Sequence, residues 1–164
     1  MARGTRQMRV TGLTELVKQL ESMTGNTTAI CEDITYEGIN VIADAMKEQL
    51  NSLKTTDDYS TGSSKRYAAD WEKEALVDSM GITPVQWSGS KVDYKVGFDG
   101  YAPNTQTEKY PNGKANAMIA NSINAGTSYM QSQPFIKKTM SAGRKAAIAQ
   151  METELQEQIN KYMK

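Results

Sequence analysis

KVDYKVGFD (residues 91–99) decides the fold class, because apolar and other residues alternate along it with a period of two. The apolar positions are Val92, Tyr94, Val96 and Phe98. This period, with β-branched and aromatic side chains, is typical of a strand that buries one face. We therefore predict that these side chains face the rest of the domain and that the intervening residues face solvent.

The residues before this strand predict a partner for it. Val85 and Trp87 lie on a second short apolar stretch, and Ser88-Gly89-Ser90 supplies a turn between the two. Outside this hairpin the patterns are helical. We therefore predict an α+β fold, in which an antiparallel β-hairpin or small sheet packs against several helices and a long helix ends the chain.

Apolar residues at helical spacing predict the helices. We expect them over Leu13–Met23, Thr28–Leu53, Tyr67–Met80 and Ala115–Ala125, and over Phe135–Met163 at the end of the chain. Gly38 lies on the apolar stripe of the second helix, where it predicts close approach of another element. Two polar stretches, Lys54–Arg66 and Tyr101–Lys114, are predicted to be loops. Within them, Thr55–Arg66 and Ala102–Lys114 are expected to be mobile in the free subunit and ordered by neighbouring subunits.

The helix after Pro134 is predicted to be about 44 Å long. Its apolar stripe consists of Ile136, Met140, Ala147, Met151, Leu155 and Ile159. Beyond Glu152 charged and polar residues dominate, so we expect that end to extend past the globular body. The competing interpretation is that the helix packs across its own domain.

The 164 residues suit a single domain, here residues 10–164, preceded by a basic N-terminal arm of residues 1–9. The arm contains Arg3, Arg6 and Arg9, all before the first acidic residue, Glu15. The arm could touch nucleic acid or an acidic partner, or be only a solvated start. No apolar stretch suggests a membrane span or a signal peptide, so we expect synthesis in the cytoplasm and no membrane contact.

The residues that most often carry catalysis are scarce. There is no histidine and one cysteine, Cys31, which excludes histidine-based triads and a cysteine–histidine zinc site. Asp57 and Asp58 are adjacent in a loop, whereas Asp93 and Asp99 are about 20 Å apart on a strand. We predict no catalytic, cofactor-binding or metal-binding residues. The competing interpretation is a small hydrolase that uses carboxylates and a divalent metal.

Three strings together resemble a known family. They are VTGLTELVKQLESM (Val10–Met23), YKVGFDGY (Tyr94–Tyr101) and IANSINAGTSYMQSQPFIKKTM (Ile119–Met140). In this order they resemble the neck or tail-completion morphogenesis proteins of long-tailed bacteriophages, over about Met8 to Ile159. Gln133 stands where we expect histidine in many relatives.

The resemblance implies a non-enzymatic virion protein at the head–tail junction. Such subunits form a ring, commonly sixfold, between the head-closure connector and the tail, and genome DNA passes through the lumen without sequence-specific contact. A tail terminator or a minor head-associated protein is the alternative. The residues expected at contacts with copies of the chain or other partners are Gly126, Ser128, Pro134, Phe135, Lys137, Lys138 and Tyr101.

Overall fold

The computed structural model describes residues 25–55, 65–89 and 91–162 and confirms the α+β class. Its helices are α1 (Thr27–Asn51), α2 (Asp70–Ser79), α3 (Asn116–Ala125) and α4 (Phe135–Tyr162). Its strands are β1 (Met80–Ile82), β2 (Gln86–Ser88), β3 (Lys91–Asp93), β4 (Val96–Phe98), β5 (Tyr101–Ala102) and β6 (Lys114–Ala115). The predicted helix Leu13–Met23, the basic arm and the central part of the first polar loop lie outside the described residues.

The two longest helices, α1 and α4, pack side by side in opposite directions. A Cβ atom on Gly38 would lie 2.6 Å from the Cγ and Sδ atoms of Met151, which confirms the predicted close approach. Further along, a Cβ atom on Gly143 would lie 2.9 Å from Ile42 Cδ1. Glycine on both helices therefore lets the two backbones come close together. At least as far as Met151, α4 lies along α1 instead of running free of the body.

The apolar stripe predicted for α4 is wrong in part. The helix buries Phe135, Thr139, Gly143 and Ala147, spaced four residues apart. Of the predicted stripe, Ile136, Met140 and Leu155 are exposed by 40%, 48% and 43%. Close packing of two helices selects small residues for the contact, so the largest apolar side chains do not mark it.

The predicted strand of residues 92–98 is broken into two. β3 pairs with β2 in the predicted hairpin, with Trp87 opposite Val92, whereas β4 pairs with β1, with Ile82 opposite Val96. Gly81 lies in β1, opposite Gly97 of β4. Val96 and Phe98 pack against the core as predicted. The alternation persists along the stretch, but it does not reveal that the two halves have different partners.

The hairpin β2–β3 is attached to the first half of α1. Trp87 Nε1 donates to Glu32 Oε1 at 2.6 Å, and the rings of Tyr36 and Tyr94 lie 5.7 Å apart. Burial raises the pKa of the Tyr94 phenol, and the nearby carboxylates of Glu32 and Asp33 raise that pKa further. The phenol of Tyr94 therefore stays neutral to a higher pH than that of a free tyrosine, and it adds no charge to this acidic side of α1.

The main core lies at the other end of the α1–α4 pair. It is formed by Met46, Leu50, Leu53, Ala68, Leu76, Ala102, Ile119, Ala120, Ile123, Met130 and Phe135. Phe135 packs edge-on against Phe98, with ring centroids 6.1 Å apart. This end of the molecule therefore holds α1, α2, α3 and the start of α4 together. None of the helices within residues 25–55, 65–89 and 91–162 is both long and apolar enough to cross a bilayer.

The second polar stretch is ordered within the subunit, contrary to the prediction. β5 pairs with β6, and Thr105 Oγ1 donates to Ala102 O at 2.6 Å while accepting from Lys114 N at 2.6 Å. Gly113 has φ of 90°, and a side chain there would collide with the Ala102 carbonyl. The polar residues thus satisfy one another locally and need no neighbour to do so.

Candidate functional site

The turn between α3 and α4 has a defined conformation. Gly126 has φ of 77° and ends α3, and a Cβ atom there would lie 2.9 Å from Ser132 N. Only glycine adopts this conformation at low cost. Ser132 Oγ donates to Asn124 O at 2.9 Å, and Asn124 Oδ1 accepts from Ile136 N at 3.2 Å. This turn therefore sets where α4 begins.

Gln133 joins this turn to the segment after α1. Its side-chain Oε1 accepts from Lys54 N and its Nε2 donates to Lys54 O, both at 2.9 Å. A side-chain amide is the group that can replace a peptide partner in this paired pattern. At the position where we expected histidine in relatives, this chain thus uses glutamine to bind a backbone segment.

We expect Gln133→Ala to lower the free energy of unfolding by about 1–3 kcal/mol, because two hydrogen bonds to Lys54 are lost. Gln133→Glu is the matched comparison, since it keeps an acceptor for Lys54 N but no donor for Lys54 O. Its stability should fall between those of the wild type and Gln133→Ala. Urea denaturation measures all three proteins. Equal stability of the wild type and Gln133→Ala would contradict the role given to this side chain.

Arg66 holds the middle of this turn, at Tyr129 and Gln131, through backbone hydrogen bonds. Its backbone N donates to Tyr129 O at 2.9 Å, and its carbonyl accepts from Gln131 N at 2.8 Å. Its guanidinium binds both carboxylate oxygens of Glu72, at 2.8 and 3.0 Å. Glu72 also accepts from Ala69 N at 2.8 Å at the start of α2. The ring of Tyr129, 57% exposed, is therefore presented outward from a well-supported backbone.

The structure divides the predicted contact residues. Ser128, Pro134, Lys137 and Lys138 are exposed on or beside the turn, as an assembly contact requires. Tyr101 is also exposed, by 58%, but it lies in a separate groove beside α2.

Two of the predicted contact residues have internal roles. Phe135 is 1% exposed and fills the core, so its ring stabilises the subunit itself, and its contact with a partner stays a prediction. Gly126 shapes the turn through its backbone conformation. The resemblance placed the Pro-Phe pair at a contact, whereas in the structure the first side chain of α4 points into the core.

The helix α4 carries an exposed apolar row, and three of its members, Ile136, Met140 and Leu155, were expected in the buried stripe. It consists of Ile136, Met140, Ile148 and Leu155, which are 40%, 48%, 47% and 43% exposed. From Ile136 to Leu155 the row extends over about 29 Å at 1.5 Å per residue. The sequence contains a signal for this arrangement. A second stripe, which faces the interior, recurs every four residues as Phe135, Thr139, Gly143 and Ala147.

A groove of about 410 Å³ lies between α2 and the β5 region. Trp71, Glu74 and Asp78 share one face of α2, and Tyr101 and Asn116 belong to the opposite wall. Sequence reasoning missed this groove, because its two walls are separated by more than twenty residues of chain.

Within the described parts of the chain, no three His, Cys, Asp or Glu residues form a group that could hold a metal ion. Comparisons of the chain with protein-family models, with curated proteins and with solved structures found no match. Function is therefore inferred from the chemistry of this chain's own surfaces and from the three strings quoted above.

Proposed function

We propose that this chain is a structural virion protein of the neck or tail-completion region of a long-tailed bacteriophage. It acts without catalysis, as one subunit of a ring of identical copies, commonly sixfold, between head-closure and tail proteins. The resemblance of Val10–Met23, Tyr94–Tyr101 and Ile119–Met140 to that family supports the position in the particle. A tail terminator or a minor head-associated protein would occupy a different layer of the same particle.

The observation that carries the proposal is the exposed apolar row on α4. Its large side chains are exposed along one helix, whereas α1 packs against Gly143 and Met151 of the same helix. A row of this kind, on a helix held rigidly from behind, is typical of a surface that another protein covers. A ring needs one such surface to meet a different surface of the next copy, so that the contacts close on themselves.

The turn beside the row suits the same role. Lys137 and Lys138 border the row at its start, and Ser128 and Tyr129 lie on the turn that precedes it. Apolar groups surrounded by polar and aromatic ones are the usual composition of a protein interface. Because Gln133 and Arg66 hold the turn, little conformational entropy is lost when a neighbour binds it.

We expect Ile148→Glu/Leu155→Glu to abolish association while leaving the fold intact. Full burial of such a side chain contributes roughly 1.5–3 kcal/mol, and each of these two is about half exposed in the subunit. Losing both therefore costs about 1.5–3 kcal/mol, which weakens self-association by at least about 10-fold. Sedimentation velocity measures association, and circular dichroism measures folding. In a phage carrying the variant, heads and tails should remain unjoined.

The control is Ala142→Glu/Ala149→Glu, which adds the same charges at exposed positions on another side of α4. This pair should associate and complement assembly as the wild type does. Normal yields of infectious phage from Ile148→Glu/Leu155→Glu would refute the assembly surface. Electron microscopy of particles with a tagged subunit tests the location, and density for the tag away from the head–tail junction would refute the neck assignment.

A further inference from the structure

The groove between α2 and β5 combines acidic and aromatic side chains. Glu74 and Asp78 are exposed on α2, one turn apart. Trp71 lies one turn before Glu74 on the same face, and Tyr101 is on the opposite wall. The described residues that line the groove include no lysine and no arginine, so nothing within it neutralises the carboxylates.

Two polar atoms at this groove lack hydrogen-bond partners. Asn116 is 6% exposed, and its Nδ2 donates to Asp99 O at 2.8 Å, which leaves Oδ1 as an acceptor. Among the residues described, neither Asn116 Oδ1 nor Ser79 Oγ has a hydrogen-bond partner. Both residues line the groove. Buried polar atoms without partners are uncommon in folded proteins, and these two add acceptors to the wall of an acidic groove.

The chemistry of that ligand follows from its surroundings. Carboxylates at the rim favour a cation, and the faces of Trp71 and Tyr101 favour a flat cation that can stack on them. Acceptors on the groove wall favour a group with several N–H donors. A guanidinium meets all three conditions, because it is planar, always charged and carries five donors. An ammonium group is a compact point charge and fits the aromatic walls less well.

We infer that this groove receives arginine side chains from the basic N-terminal arm, residues 1–9, of a neighbouring copy. Three of the chain's five arginines, Arg3, Arg6 and Arg9, are in that arm. Of the other two, Arg66 already binds Glu72 and Arg144 lies on α4. The positive charge of the arm is thus complementary to the negative charge of the groove. The arm can therefore bind a protein surface. The inference depends on the proposed function, because it needs an adjacent copy.

A peptide titration tests the receptor. The host is the full-length chain with Arg3, Arg6 and Arg9 changed to Gln, which leaves the groove free, and with Trp87→Phe, so that Trp71 alone supplies tryptophan fluorescence. The ligand is a synthetic peptide of residues 1–12, and the control ligand is that peptide with all its arginines replaced by Gln. The arginine peptide should bind at least about 10-fold more tightly at low salt, and added salt should weaken its binding.

Groove variants locate the binding. Glu74→Gln/Asp78→Asn in the host should raise the Kd of the arginine peptide by at least about 10-fold, because the rim carboxylates are lost. The control is Asp44→Asn/Glu48→Gln, an exposed acidic pair with the same spacing on α1, which should leave the Kd unchanged. Equal binding of the two peptides, or an unchanged Kd in the groove variant, would overturn the arginine receptor.

A second measurement identifies the source of the arginine. In the otherwise wild-type chain, with its arm intact, Glu74→Gln/Asp78→Asn should weaken self-association in sedimentation equilibrium, and the α1 control pair should not. If the peptide binds the groove but self-association is unaffected, the neighbouring copy is not the source and the inference is wrong. Should Ile148→Glu/Leu155→Glu still abolish association in that case, the proposed function stands while the groove inference fails.

Discussion

Phe135→Ala is expected to lower the free energy of unfolding by about 3–5 kcal/mol. The ring is 1% exposed, lies at the first position of α4 and packs edge-on against Phe98. Truncation removes the aromatic pair and leaves a cavity where α1, α3 and the start of α4 meet. Because the turn held by Gly126 and Gln133 limits how far α4 can move inward, little of that cavity should close. Urea denaturation followed by circular dichroism measures the change.

Ile136→Ala is the matched control for this prediction. It removes a large apolar side chain from the adjacent residue of the same helix, but Ile136 is 40% exposed. Its unfolding free energy should change by less than about 1 kcal/mol, since partly exposed side chains contribute less burial. Comparing the two variants shows which face of α4 is buried in the core. A larger loss for Ile136→Ala than for Phe135→Ala would restore the apolar stripe expected from the sequence and contradict the structure.

Gly143→Val is expected to destabilise the protein by about 1–3 kcal/mol, because it overpacks the contact between α4 and α1. A Cβ atom at this position would lie 2.9 Å from Ile42 Cδ1 and 3.2 Å from Ala45 Cβ. Ala45 Cβ is fixed to the backbone of α1, so the helices themselves would have to separate. The melting temperature measures the loss, and hydrogen exchange should show weaker protection of the amides in α1 and α4.

Ala142→Val provides the comparison at an exposed neighbouring position of α4. It introduces the same β-branched side chain, which costs a fraction of 1 kcal/mol of helix propensity relative to alanine. At position 143 valine replaces glycine, a poorer helix former, so helix propensity by itself would favour Gly143→Val. A larger loss for Gly143→Val therefore reports the crowding against α1. An identical melting temperature for Gly143→Val and Ala142→Val would show that the two helices do not approach each other at Gly143.

Local patterns in the sequence predicted the helices well. The helix expected over Thr28–Leu53 is observed as Thr27–Asn51, and the one expected over Ala115–Ala125 as Asn116–Ala125. The start of the last helix at Phe135 is also confirmed. These boundaries depend on breaks at Gly126 and Pro134 and on apolar periodicity, all of which act over a few residues of chain. Gly38 likewise predicted its own close contact, because a glycine within a helix usually has a packing reason.

The strands and the second polar loop were predicted less well. Alternation in residues 92–98 indicates which side chains share a face, but it carries no information on which strand each half pairs with. Tyr101–Lys114 has the composition of a mobile loop, yet β5 pairs with β6 and Thr105 bonds both sides. Strand pairing is made between residues distant in the chain, so its outcome depends on the whole arrangement.

By itself the sequence determined the α+β class, the positions of the helices that the structure describes and the glycine at the helix contact, because each follows from neighbouring residues. Only the tertiary structure decided which face of α4 is covered. Gly143 and Ala147 face inward because α1 packs closely only against small residues. Phe135 faces inward because its ring fits into the core. As a result, the side chains of Ile148 and Leu155 remain exposed. The groove likewise forms only when α2 and β5 are brought together, since each wall supplies one of its two aromatic rings and one of its two unpartnered polar atoms.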